Sequence, residues 1–278
     1  IQIGVWEGIE EDRLSNWLGS LRNCGAELLA AYLLDNLAFR SRQQYASLLD
    51  TVFHDLTLPV NGKPQRLVEF LASSPTSPDQ GASVRVVPVI GQAQPPTKSG
   101  PYILRLAQRR YRIKNEWLAW AQSLLTAKGL THIYFVDDFC GTGEQFESFL
   151  HDTNIQQVIQ NNPQVVITYL VTVIHRTGRE HLKTKFPYLS VVCGESLLPI
   201  NAVMSAEALA RYRVPGFASE IASQYDAAVQ QIGLPSKGQM ASGFGSLGLA
   251  FAFAHATPNN TLPIFWMSRP KLASLLDR

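Results

Sequence analysis

The sequence predicts an α/β protein built on a mostly parallel sheet. Three observations carry this expectation. Apolar runs of strand length recur along the chain, as "SVRVVPVIG", "HIYFVDD", "QVVITYLVTVI" and "LSVVCG". These runs are continuous rather than alternating, as strands covered on both faces are. Segments of helical period stand between them, which is the signature of strands joined by crossover helices.

Taken in order, residues 9 to 55 read as helical. In "EEDRLSNWLGSLRN", Leu14, Trp17, Leu18 and Leu21 share one face and acids occupy the first turn. "AELLAAYLLDNLAFRSRQQYASLLDTVF" continues in good helix formers, so rich in apolar positions that both faces can be covered. "SSPTSPDQGAS" is a loop, and "SVRVVPVIG" a strand whose Pro88 suggests an edge or a bulge. "QAQPPTKSGP" is a second polar loop. Residues 102 to 128 are expected to form one long helix, with Arg109, Arg110 and Arg112 on a surface face. The strand "HIYFVDD" follows, then a turn and a helix over 144 to 160. "QVVITYLVTVI" and "LSVVCG" are strands flanking the short helix "RTGREHLKTKF". Residues 204 to 230 are helical with a break at Pro215 and Gly216, and "SLGLAFAFAHATPNNTLPIFW" reads as two strands around a Thr-Pro-Asn-Asn turn.

Composition narrows the function classes. With 278 residues, 46% of them apolar, the chain can bury a sizeable core. A formal charge of +2, from 24 basic and 22 acidic side chains, argues against a strong nucleic-acid footprint and leaves only a local basic patch open. Cys24, Cys140 and Cys193 lie far apart in no metal-like spacing, which indicates free thiols in a reducing compartment. No apolar stretch reaches membrane-spanning length, and nothing resembles a signal peptide. The expectation is a cytoplasmic protein with no membrane partner, although the chain opens on Ile1 and its true N-terminus stays open. The histidines are scattered: His175 and His181 have poor metal spacing, and His132 and His255 flank strands.

The chemistry concentrates in "IYFVDDFCGTGEQF", residues 133 to 146. In a parallel sheet, ligands bind beyond the carboxyl ends of the strands. Asp137 and Asp138 stand at that end, and Phe139, Cys140, Gly141, Thr142 and Gly143 lead into a helix. The loop N–H groups and the positive end of the helix dipole make an anion site, and the glycines admit a phosphate without a Cβ clash. Two carboxylates beside a phosphate repel it. They make sense facing the vicinal hydroxyls of a sugar, or with a divalent cation between. An acid pair beside a phosphate nest thus specifies a ribose 5-phosphate. A metal site of another kind and a purely structural turn also remain open, although no Gly-x-x-x-x-Gly-Lys-Ser/Thr loop precedes the acids.

This stretch resembles the phosphoribosyl pyrophosphate (PRPP) motif of the phosphoribosyltransferase superfamily, which is an apolar strand, two acids, and a short Thr-Gly loop before a helix. Gln145 stands where that motif usually has a second threonine. With "TKSGPYILR" and "HATPNNTLPIFW", it further resembles the phosphoribosyltransferase-like proteins of bacterial conflict systems, including retron-linked and other phage-defence operons. The resemblance implies a single type I phosphoribosyltransferase-like domain. Residues 1–60 would be an N-terminal helical addition, 80–200 the core sheet, and 201–278 a C-terminal helix and β hood. It implies that Asp137 and Asp138 bind ribose hydroxyls through or beside Mg²⁺, and that residues 139–143 and Gln145 bind the 5-phosphate. Lys98, Ser99, Gly100 and Arg105 would bind the pyrophosphate, with Asn259 and Asn260 on the base or acceptor side. It implies PRPP or a nucleotide as ligand, and a defence partner such as a reverse transcriptase with its nucleic acid; an oligomer stays open. Activities in keeping with this are a toxic ribosyl or phosphoribosyl transferase, a nucleotide glycosidase, a housekeeping salvage transferase, or a sensing module without turnover. Only about 35 residues separate the Lys98 loop from Asp137, and one long helix is expected to fill this interval, where many such transferases carry a closing hairpin.

Overall fold

The computed structural model describes residues 6–77, 80, 83–91, 99–236, 238 and 240–278. The chain divides into two compact units, one of residues 1–45 with 197–278, the other of residues 46–196.

The second unit carries the sheet. Four strands, Val84–Pro88, His132–Cys140, Val166–His175 and Leu189–Leu197, lie side by side in chain order. The first pairs parallel with the second, and the second with the third, placing Val86 against Tyr134 and Phe135 against Tyr169. Pro88 is on an edge strand, where its missing N–H breaks no ladder. One face buries Phe135, Phe146, Phe149, Tyr169, Val171 and Leu182. This continuous apolar packing explains why the strands do not alternate in polarity. Helices Ser99–Tyr111, Glu144–Asp152, Ile155–Asn161 and Arg176–Lys185 connect them.

Several elements differ from the sequence reading. The helix expected over 102–128 is Ser99–Tyr111, ended by Arg112 at a left-handed φ of 56°. Beyond it come 3-10 turns at Asn115–Trp117 and Ala121–Thr126. The buried residues Ile113, Trp117, Ala121 and Leu124 repeat at helical spacing, yet their segment does other work. Leu118 bridges Val86 and the Ala119 N–H donates to the Val86 carbonyl at 3.1 Å, so this stretch covers the open edge of the sheet. The helix expected over 144–160 breaks at Asn154, φ 48°. Residues 9 to 55 form helices Glu11–Arg22, Glu27–Asp35 and Arg42–His54, with a strand at Ala38–Arg40 between the last two. A hairpin, Thr57–Val60 with Lys63–Arg66, turns on Asn61 and Gly62, both at positive φ; Asn-Gly is the standard signal for such a turn.

The first unit packs helices Glu11–Arg22, Glu27–Asp35 and Phe217–Ile232 around Trp17, Leu29, Leu33, Ile221 and Phe265. Trp17 stacks on Phe265 with centroids 5.8 Å apart, and its Nε1 donates to the Ile264 carbonyl at 2.8 Å. Ala38–Arg40 pairs parallel with Phe251–Phe253. The second strand expected near the C-terminus is instead a helical turn, Pro263–Trp266. Pro263 occupies its first position, where a missing N–H costs nothing.

Candidate functional site

The strand His132–Cys140 ends in the acid pair, and both carboxylates are buried: Asp137 is 3% exposed and Asp138 7%. They belong to one hydrogen-bonded chain. The Tyr169 hydroxyl donates to Asp137 Oδ2 at 3.0 Å, and the Asp138 N–H to Asp137 Oδ1 at 3.0 Å. The Ser99 hydroxyl donates to Asp138 Oδ1 at 2.8 Å, and Thr172 Oγ1 to the Asp138 carbonyl at 2.5 Å. Burial pushes the Asp137 carboxyl well above the usual carboxylate range, and the charge of Asp138 and a side-chain hydrogen bond with it push the same way. Two buried carboxylates in contact cannot both ionise cheaply, so the Asp137 carboxyl keeps its proton to a higher pH than an ordinary carboxylate does. Burial likewise raises the Tyr169 hydroxyl, which keeps it a donor.

The turn behind the pair leaves backbone donors open. Gly143 sits at φ 88° and starts the helix Glu144–Asp152. The Glu147 N–H donates to the Gly143 carbonyl at 2.9 Å, and the Glu144 N–H makes only a 3.4 Å contact with Thr142 Oγ1. Among the described residues, the N–H groups of Gly141, Thr142, Gln145 and Phe146 have no protein acceptor. Four uncommitted donors at the start of a nine-residue helix suit a phosphate. Thr142 is half-buried and Gln145 exposed.

The helix Arg176–Lys185 braces this turn. A Cβ at Gly178 would stand 2.5 Å from the Gly141 carbonyl oxygen and 2.9 Å from Cys140 Sγ, so only glycine allows the approach. A Cβ at Gly143 would stand 3.0 Å from the His181 ring, and His181 Nε2 contacts Glu147 Oε2 at 2.5 Å. That contact, ahead of the nearby Lys185 charge, holds the Glu147 carboxyl below its ordinary range. Cys140 is a bystander: burial, then the charge of Asp137, pushes its thiol up to about 12, which removes the nucleophilic thiolate.

The other expected site residues are placed less directly. Lys98 lies outside the described residues. Ser99 spends its hydroxyl on Asp138, and Gly100 has a packing reason to be glycine, since a Cβ there would stand 2.3 Å from the Val89 carbonyl oxygen. Arg105 and Arg109 are exposed and line a cavity with Trp120, whereas Arg110 forms an ion pair with Asp50. Asn259 and Asn260 lie in the first unit and hold its own backbone. The Asn260 amide donates to the Phe244 carbonyl at 2.8 Å, and the Phe244 N–H to the Asn259 carbonyl at 2.8 Å. Sequence reasoning missed Tyr169, Gly178 and Glu147. A tyrosine inside an apolar strand, whose hydroxyl needs a partner, and a glycine three residues into a helix were the available signals.

A residue pair and nest of this kind, at the carboxyl end of a parallel strand, define a phosphoribosyltransferase-like α/β protein. Residues 14–278 match the family described as PRTase-CE, and the chain belongs to that family. Among solved structures, the chain is similar to an orotate phosphoribosyltransferase from Aeropyrum pernix. The identity is 15% and the TM-score 0.28, over 53% of this chain and 93% of that one. It is also similar to the AQ2163 protein from Aquifex aeolicus, at 9% identity and a TM-score of 0.32, over 68% of this chain and 86% of that one. No curated protein matches the chain. Among the described residues, no helix is long and apolar enough to cross a membrane.

Proposed function

We propose that the chain binds a ribose 5-phosphate, as PRPP or a nucleotide, and acts at its C1 as the effector of a bacterial anti-phage defence system. The observation that carries the binding half is the set of four uncommitted N–H donors, at Gly141, Thr142, Gln145 and Phe146, directly behind the acid pair. The phosphate takes these donors, and Asp138, with Asp137 behind it, accepts from the ribose hydroxyls. Among the described residues no third acid, histidine or cysteine joins the pair. Asp137 and Asp138 therefore fit a Mg²⁺ completed by water and substrate oxygens, rather than one caged by protein alone. Such an ion would neutralise the phosphates of the bound sugar.

Bond breaking at C1 develops positive charge on the ring and negative charge on the leaving group. The protein's part is to hold the sugar by both ends and keep a carboxylate near the developing cation. The defence role and a partner such as a reverse transcriptase with its nucleic acid rest on the sequence resemblance.

The test is induced expression of the wild type and of a folded Asp137→Asn, Asp138→Asn variant, with metabolite profiling. Loss of toxicity and of nucleotide depletion in the variant supports the proposal, and toxicity that persists overturns it. A second reading is favoured by the near-complete burial of both carboxylates: a module that senses PRPP or a nucleotide and opens only to signal. Tight calorimetric binding with no turnover would select it.

A further inference from the structure

We propose a second ligand site, beside the helix Ser99–Tyr111, that takes a nucleotide by stacking its base on Trp120 and holding its phosphate between Arg105 and Arg109. A cavity of about 570 Å³ lies there, lined by Pro88, Leu104, Arg105, Arg109, Leu118 and Trp120 among others. That volume suits one drug-sized molecule.

Three features point to such a ligand. Trp120 is 59% exposed, and among the described residues it meets no other ring. Tryptophan is costly to leave in water, and an exposed indole beside a cavity offers a stacking platform. The platform is firmly mounted. The preceding residue, Ala119, is anchored by its N–H to the Val86 carbonyl at 3.1 Å, and the Trp120 carbonyl accepts from both the N–H of Ser123 at 3.0 Å and its hydroxyl at 2.8 Å.

Second, Arg105 and Arg109 are four residues apart on one helix and so share a face, where like charges repel. Among the described residues neither has an ion-pair partner, and no acid lines the cavity. Arg109, in the last turn, meets the negative end of the helix dipole; Arg105, in mid-helix, has no such compensation. Two unpaired guanidinium groups facing one cavity are an anion fork. Third, the walls are apolar apart from these two groups and Gln108, whose amide is engaged with Asn115 Oδ1 at 2.7 Å. Cationic groups on an apolar floor next to an indole select an aromatic anion over a bare phosphate or a sugar phosphate. The site shares no residue with the acid pair or the Gly141–Phe146 nest, and it uses Arg105, which the resemblance gave to the pyrophosphate, to hold this second ligand's phosphate instead.

The experiment is calorimetry with AMP on the full chain, in the presence of saturating ribose 5-phosphate. The expected result is one AMP bound per chain, unaffected by ribose 5-phosphate. Affinity should fall about tenfold or more in Trp120→Ala and in an Arg105→Ala, Arg109→Ala variant, and be largely kept in Trp120→Phe. All these side chains are exposed or line open space, and circular dichroism verifies that the variants fold. Absence of AMP binding, unchanged affinity in both alanine variants, or inorganic phosphate binding as tightly as AMP overturns the proposal. So does displacement of AMP by ribose 5-phosphate. An adenine octanucleotide that binds at least tenfold more tightly than AMP through the same residues replaces it with a single-stranded nucleic-acid surface.

Discussion

Gly178→Ala tests the coupling between the bracing helix and the turn proposed to hold the phosphate. The new Cβ would stand 2.5 Å from the Gly141 carbonyl oxygen and 2.9 Å from Cys140 Sγ, where ordinary contacts begin near 3.4 Å. One neighbour is backbone and cannot rotate away, so the helix and the turn must separate by about 1 Å, at the upper end of the about 1–3 kcal/mol that overpacking costs. Alanine returns about 1 kcal/mol of helix propensity. The net loss of about 2 kcal/mol corresponds to a Tm about 4–8 °C lower for a unit of this size. Because the displaced oxygen belongs to the turn that carries the free N–H groups, ribose 5-phosphate should bind at least about tenfold more weakly, the equivalent of one charge-assisted hydrogen bond. Gly19→Ala is the control: its Cβ would meet nothing within 4 Å, inside the helix Glu11–Arg22, and it should gain stability without touching ligand affinity. Thermal unfolding by circular dichroism and calorimetry read both effects. A Gly178→Ala protein with unchanged Tm and unchanged affinity would refute the reasoning.

Asp137→Asn should raise Tm at pH 7.5, because it removes a buried acid; the amide oxygen can still accept from the Asp138 N–H, and the Tyr169 hydroxyl must turn to accept from the amide NH2. The sign follows from linkage. The folded state raises this pKa, so between the unfolded and folded values it holds a proton the unfolded chain has released, and stability drains away as pH rises through that window. The gain in the variant should therefore shrink at pH 4, and a Tm lower than wild type at both pH values would contradict it. Tyr169→Phe removes a donor from Asp137 and should cost about 1–3 kcal/mol by denaturant unfolding; a change within 0.5 kcal/mol would sink this reading. Cys140 should resist a thiol reagent at pH 8 in the native protein and react on unfolding, as peptide mapping of the labelled chain would show. Rapid native labelling at Cys140 would mean the turn opens far more than its burial indicates.

Much of the second unit could be read from its residues. The central strands read as continuous apolar runs because they are covered on both faces, and Pro88 marked the edge because proline cannot serve a central ladder. The turn over residues 141–143 was readable for the same reason: glycine at φ 88° is what a strand-to-helix corner needs. What failed was periodicity without context. Ile113, Trp117, Ala121 and Leu124 mimic a helix, but the tertiary need to cover an edge strand overrode that pattern. The Asn260 amide looked available in sequence, yet in the fold it donates to the Phe244 carbonyl, while Asn259 gives its backbone carbonyl to the Phe244 N–H. The pairing of Asp137 with Tyr169 and of Asp138 with Ser99 is contact across distant segments, which spacing along the chain does not encode.

The measurement that tests the central claim most directly is a structure of the protein crystallised with ribose 5-phosphate. The account predicts the phosphate oxygens within about 2.7–3.2 Å of the N–H groups of Gly141, Thr142, Gln145 and Phe146, with the ribose hydroxyls turned toward Asp138. A sugar phosphate bound elsewhere, or no binding alongside an intact turn, would contradict it.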